Sequence, residues 1–149
     1  KMSLQALYEE MNTFLADQIV LGMKIHNLHW FLIGDDFFPM HEKLDEYYED
    51  AQERIDEIAE RLLMIGAKPL PNLEEVLQQS NIKEWDNQYK KSQEGIASLL
   101  QDFEYLRNFA HRIIKIAGEQ EDFGTEDLFT EILADLEKDI WMFKAYTHR

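Results

Sequence analysis

The chain has 149 residues, 45% of them hydrophobic and 30% charged, which is length and apolar content for a single domain with a real core and excludes a disordered chain. It contains no Cys, so disulfide scaffolds, thiolate zinc sites, iron–sulfur clusters and Cys nucleophiles are ruled out, and three Pro with six Gly argue against a turn-rich all-β fold. Thirty acidic against fifteen basic side chains give a formal charge of −15, which disfavours nucleic acid phosphates and favours cations as partners.

The elements are helical in chain order. Leu7, Met11, Phe14, Leu21, Ile25, Leu28 and Leu32 recur at threes, fours or their sum and predict one long amphipathic helix. Gly34-Asp35-Asp36 breaks it, and Pro39 suits the first turn of a second helix striped by Leu44, Tyr48, Ala51, Ile55, Ile58, Leu62 and Ile65. Gly66, Pro69 and Pro71 end that helix. Asn72 with Glu75 reads as a capping box for a short helix over 73–79. A third stripe runs Tyr89, Ile96, Leu99, Phe103, Leu106, Ala110, Ile113, Ala117. After a turn from Gly118 to Gly124, Thr125 is expected to cap a last helix carrying Leu128, Ile132, Leu136, Ile140 and Phe143. Four long helices and a short one, with no credible strand, predict an all-α four-helix bundle whose extra helix lies in the middle connection. That connection is long enough to cross the bundle. No run approaches the about 20 apolar residues of a membrane span, and no basic-then-apolar leader opens the chain, so a single domain over 1–149 in the cytoplasm is expected.

Charge is concentrated in two places. Segment 41–60 holds nine acids and two bases, and segment 117–139 nine acids and one base; together they account for the whole excess. Solvated helix faces explain most such clusters, but hard cations are their natural ligands.

Five His leave few ways to build a metal site. His41 and Asp45, and again Asp56 and Glu60, are i,i+4 pairs, which place two donor heads on one face of the second helix beside its apolar stripe. The pairs lie roughly 22 Å apart along a helix rising 1.5 Å per residue, so one straight helix cannot bring them to one ion. Two copies of that helix packed antiparallel about a two-fold axis near residues 50–51 would, giving two equal sites per dimer. No His has Glu three residues before it, which disfavours a di-iron centre inside a single bundle. His26, His111 and His148 are read as packing or solvent-facing, and Glu49, Asp50 and Glu53 as polar contacts near the two-fold.

The runs His26-Asn27-Leu28-His29-Trp30, His41-Glu42-Lys43-Leu44-Asp45 and Asp56-Glu57-Ile58-Ala59-Glu60-Arg61, with the ending Ile140-Trp141-Met142-Phe143-Lys144-Ala145, resemble the Dps (or Dpr) mini-ferritins over essentially the whole chain. The resemblance implies a ferritin-like fold, a hollow dodecamer storing ferric mineral, and Fe(II) oxidation preferring hydrogen peroxide. It also implies a ferroxidase centre at a two-fold interface, with His29, His41 and Asp45 from one subunit and Asp56 and Glu60 from the other. Zinc or manganese could compete for that centre. Trp30 falls where the family places an aromatic beside it, and Asp122, Asp127 and Glu131 fall near the family's acidic three-fold pores. Two readings compete. DNA binding through a basic tail is disfavoured, since Lys1 and Lys24 are the only bases in the first 42 residues and Lys144 and Arg149 the only ones after 140. A noncatalytic helical interaction protein would leave the three His/Asp/Glu blocks to coincidence.

Overall fold

The computed structural model describes residues 3–148; Lys1 and Arg149, counted above among the few terminal bases, lie outside the described residues. The order is α1 (Leu4–Phe31), β1 (Leu32–Ile33), α2 (Phe37–Met64), α3 (Leu73–Gln79), β2 (Lys90–Lys91), α4 (Ser92–Glu119) and α5 (Phe123–Thr147). A four-helix bundle with an extra short helix in the middle connection is therefore the observed architecture, and no helix among the described residues is long and apolar enough to cross a membrane.

Local signals act largely as expected. Ser3 opens α1 by accepting from the Ala6 N–H at 3.1 Å. Asn72 Oδ1 caps α3 by accepting from the Glu75 N–H at 3.0 Å, and the Glu75 carboxylate accepts back from the Asn72 side-chain amide. Three expectations are corrected. Asp122, not Thr125, is the N-cap of α5; Thr125 sits in the first turn and donates both its N–H and its hydroxyl to the Asp122 carboxylate. An Asp ahead of the turn reaches the exposed helix N–H groups from outside, which a residue already inside the helix cannot do. Tyr89 lies outside α4, exposed, with its ring edge-on to Phe31. And β1 pairs in parallel with β2, Leu32 beside Lys90 and Ile33 beside Lys91: the chain leaving α1 and the chain entering α4 run side by side, and their peptide groups pair across the gap.

That pairing places the end of α1 beside the start of α4. Asp36 at the start of α2 accepts from Ser92 Oγ (2.6 Å) and from the Tyr146 hydroxyl near the end of α5, so four helix ends meet there. At the opposite end Arg61 pairs with Asp122 at 2.7 Å, joining α2 to α5. The helices thus run up, down, down and up, with the long connection crossing the bundle beside α1. Each step of the crossing is tied down. Tyr8 donates to the Ile65 carbonyl, Asn12 to the Lys68 carbonyl, and Asn27 to the Asp86 carbonyl. Asp17, fully buried, accepts from Ser80 Oγ, the Asn81 N–H and the Tyr105 hydroxyl. Lys24 pairs with Asp102 at 2.7 Å and lies under the Trp85 ring.

The core fills the space between the α1/α2 and α4/α5 pairs. Phe14 stands edge-on to both Phe109 and Phe129, with centroids 5.3 and 5.2 Å away, while Tyr47, Phe103 and Phe143 form a second aromatic cluster. Gly95 lets α4 approach α1, because a Cβ there would stand 2.5 Å from Leu28. Gly95→Ala is therefore expected to destabilise by up to about 2 kcal/mol in denaturant unfolding, an overpacking cost of about 1 to 3 kcal/mol offset by the about 1 kcal/mol that Ala gains over Gly in a helix.

Candidate metal centre

The turn from α1 into α2 builds the site. Gly34 takes φ +124°, a backbone that L side chains rarely adopt, and so turns the chain back tightly after β1. Asp36 then locks the start of α2 through Ser92 and Tyr146, and those two hydrogen bonds hold its carboxyl below the ordinary Asp range. His29, in the last turn of α1, and His41, one turn into α2, are brought face to face with ring centroids 3.7 Å apart. Each donates its Nδ1–H to the other's backbone carbonyl, His29 at 2.6 Å and His41 at 2.8 Å. A carbonyl only accepts, so both rings carry a proton on Nδ1, and in the neutral imidazole the lone pair is then on Nε2. Two half-buried imidazoles are thus oriented and set in the tautomer a metal requires. Phe37 stacks on the outer side of His41 at 5.0 Å.

Asp45 lies one turn beyond His41 with its side chain 54% exposed. Trp30 is likewise exposed, and His26 lies between it and Tyr48. Burial, reinforced by His29 and opposed by Asp45, lowers the pKa of His26. Asp56 and Glu60 are exposed in the second half of α2. The structure therefore brings His29 and His41 together with Asp45 nearby, and leaves Asp56 and Glu60 roughly 22 Å down the helix. Among the described residues no group of three or more His, Asp or Glu converges at metal-binding distance within the one chain. All five residues lie at the margin of the bundle, outside its apolar core.

The pore candidates fall differently. Asp122 is engaged by Thr125 and Arg61; burial raises its pKa, and their hydrogen bonds outweigh that and leave it lowered. Asp127 and Glu131 are exposed on α5. Glu131 also borders a groove of about 450 Å³ between α2 and α5, with Asp50, Glu53, Glu57, Asp135 and Asp139 among its walls. This groove was not assigned from sequence, although Glu131, Asp135 and Asp139 at successive fours already share a face.

Asp139 is the buried member of that groove. Burial raises its carboxyl from 3.8 to about 6, and Asp50 and Asp135 add to the shift although Arg54 at 3.9 Å opposes it. Well below pH 4 the group is neutral folded or unfolded. Between about pH 4 and 6 the unfolded chain ionises it while the folded protein still holds the proton, which costs the folded state about 3 kcal/mol by pH 6 and no more above it. The stability difference between wild type and Asp139→Asn, followed by chemical denaturation, is expected to shift by about that amount against wild type from pH 3 to 7.

The ferritin-like domain family matches residues 8–149. DNA protection during starvation protein 2 of Bacillus anthracis is 38% identical over 95% of this chain and 96% of its own. Dps from Staphylococcus aureus superposes with a TM-score of 0.94 at 35% identity, covering 99% of this chain and 98% of that one. This chain belongs to the Dps family of ferritin-like proteins. A Dps protein from Vibrio cholerae, described as a member of a broad superfamily of ferritin-like diiron-carboxylate proteins, is 33% identical over 95% of this chain and 89% of its own, with a TM-score of 0.91. The Dps signature blocks occupy the last turns of α1, the first turns of α2 and the last turns of α2. Membership rests on the length of the chain, not on one motif.

Proposed function

We propose that this Dps-family protein is an iron-storage and detoxification protein of the cytoplasm, a ferroxidase that oxidises Fe(II), with hydrogen peroxide as preferred oxidant, and holds the ferric product in a dodecameric cage. The observation that carries the reading is the reciprocal pair of His29 and His41 hydrogen bonds, which spends both Nδ1 protons on backbone and presents both Nε2 lone pairs. Imidazole mixed with carboxylate suits Fe(II) as substrate, and carboxylates hold it more firmly as Fe(III).

In this reading each centre is completed across a two-fold axis: His29, His41 and Asp45 from one subunit, Asp56 and Glu60 from another. Two Fe(II) ions each give up one electron to one hydrogen peroxide, whose O–O bond breaks; ferric oxyhydroxide forms and protons are released. Both electrons go to the same peroxide, so no hydroxyl radical is set free. Trp30 flanks the reaction, Asp127 and Glu131, with Asp122 beside them, draw cations toward pores, and the α2/α5 groove offers carboxylates to the growing mineral. Zinc and manganese compete with iron for the same donors.

Anaerobic stopped-flow mixing of Fe(II) with protein sized by light scattering, with and without hydrogen peroxide, tests the reading. A roughly twelve-subunit particle that consumes two Fe(II) per peroxide is the expected result. A particle no faster than buffer would overturn it.

A further inference from the structure

His26 is held on its faces and open at its edge. Its ring stacks on Tyr48 with centroids 3.4 Å apart and planes 8° from parallel, lies 5.6 Å from the His29 ring, and tilts against Trp30 at 5.1 Å. Among the described residues neither of its ring nitrogens makes a hydrogen bond, whereas His29 and His41 each commit Nδ1 to a carbonyl. Its Nε2 instead points along the site to the Asp45 carboxylate, 3.9 Å from Oδ1. That separation is too long for a hydrogen bond. A tetrahedral cation with bonds of about 2.0 to 2.2 Å holds its donors roughly 3.4 Å apart, so a small turn of the exposed Asp45 carboxylate toward His26 would let the two share one cation.

We propose that His26 is a further metal ligand, its Nε2 and the Asp45 carboxylate chelating one divalent first-row cation on the face shared by α1 and α2. The inference deepens the ferroxidase reading and rests on it. Two iron ions shared among His29, His41, Asp45, Asp56 and Glu60 leave the second ion poor in protein donors, and His26 is the imidazole positioned to supply one. Both residues of the pair belong to one subunit, so this position loads without the residues of a second copy. The stacking on Tyr48 has a simple packing explanation as well, and the choice of substitution separates the two: His26→Phe keeps a flat ring on Tyr48 and removes only the nitrogens.

The test is anaerobic Co(II) titration of the assembled full chain, read by equilibrium dialysis and by the visible absorption of the bound ion. His26→Phe is expected to lose about one Co(II) per subunit, or to bind it at least about tenfold more weakly, with the absorption of that class lost. The remaining class, dependent on His29, stays. Coincident isotherms for wild type and His26→Phe would overturn the proposal. If that variant does not assemble, His26→Gln replaces it under the same criterion. If that too fails, histidine acylation of wild type, located by mass spectrometry, decides: Zn(II) protects His26 if it is a ligand and leaves its rate unchanged if it is not. Fe(II) oxidation by wild type is measured in parallel. Oxidation with coincident isotherms removes His26 alone, whereas no oxidation with a lost Co(II) class removes the ferroxidase reading and keeps the metal pair.

Discussion

Replacing Asp56 and Glu60 together by Ala is expected to reduce peroxide-dependent Fe(II) oxidation about a hundredfold or more, to the rate in buffer, in particles that still assemble. Both side chains are exposed on α2 and carry none of the core, so folding survives their loss. A second variant, His29→Ala with His41→Ala, is expected to be equally inactive. The informative experiment mixes the two. If each centre draws its imidazoles from one subunit and its distal carboxylates from another, a mixed dimer holds one intact centre and one doubly damaged one. Random co-assembly of equal amounts then restores about one quarter of the wild-type rate. Centres built within single chains would restore none. The outcome therefore reports where the centre lies as well as which residues form it.

Asp17→Ala is expected to cost about 2 to 4 kcal/mol in denaturant unfolding. Asp17 is fully buried, and its two oxygens accept from Ser80, Asn81 and Tyr105, the last at 2.6 Å. Removing the carboxylate takes the shared acceptor from three donors at once; Asn81 is exposed and can turn to water, whereas the half-buried Ser80 and Tyr105 hydroxyls approach the cost of about 1 to 3 kcal/mol for an unsatisfied buried donor. Burial raises the Asp17 carboxyl above its usual range despite those donors, so Asp17→Asn, which keeps an acceptor oxygen and removes the buried charge, is expected to cost less. Amide hydrogen exchange should place the damage in the crossing segment around 80–86, where the tie to α1 is lost, before it reaches α4 and α5.

The fold was legible because four stripes of threefold and fourfold spacing each need a partner. Leu7, Met11, Phe14, Leu21, Ile25 and Leu28 are all buried, as are Leu44, Ala51, Ile58 and Leu62. The same stripes missed Tyr47, Phe109 and Phe129, which lie one position off the counted rows and are buried because a neighbouring helix crosses there. Thr125 reads as a cap because a hydroxyl at a helix start is a local signal, but Asp122, three residues earlier and outside the first turn, reaches the Thr125 N–H, and Arg61 from α2 then pairs with Asp122 and bonds the Thr125 hydroxyl as well. No local pattern announces a parallel pairing of two residues with two, which depends on where the crossing segment returns.

Sequence by itself determined the helical class, the acidic character and the absence of thiol chemistry, since each follows from composition or from spacing along one helix. It also determined that the two donor pairs of α2 cannot meet within one helix. Tertiary structure decided how the imidazoles are used. His29 and His41 are twelve residues apart on different helices, and only the Gly34 turn, locked by Asp36, Ser92 and Tyr146, brings each ring to the other's carbonyl. It likewise made His26 a pinned neighbour of Asp45 and drew the carboxylates of α2 and α5 around one groove. Spacing rules report which side chains share a face of one element. Protonation, tautomer and approach between elements depend on what the rest of the chain packs against that face.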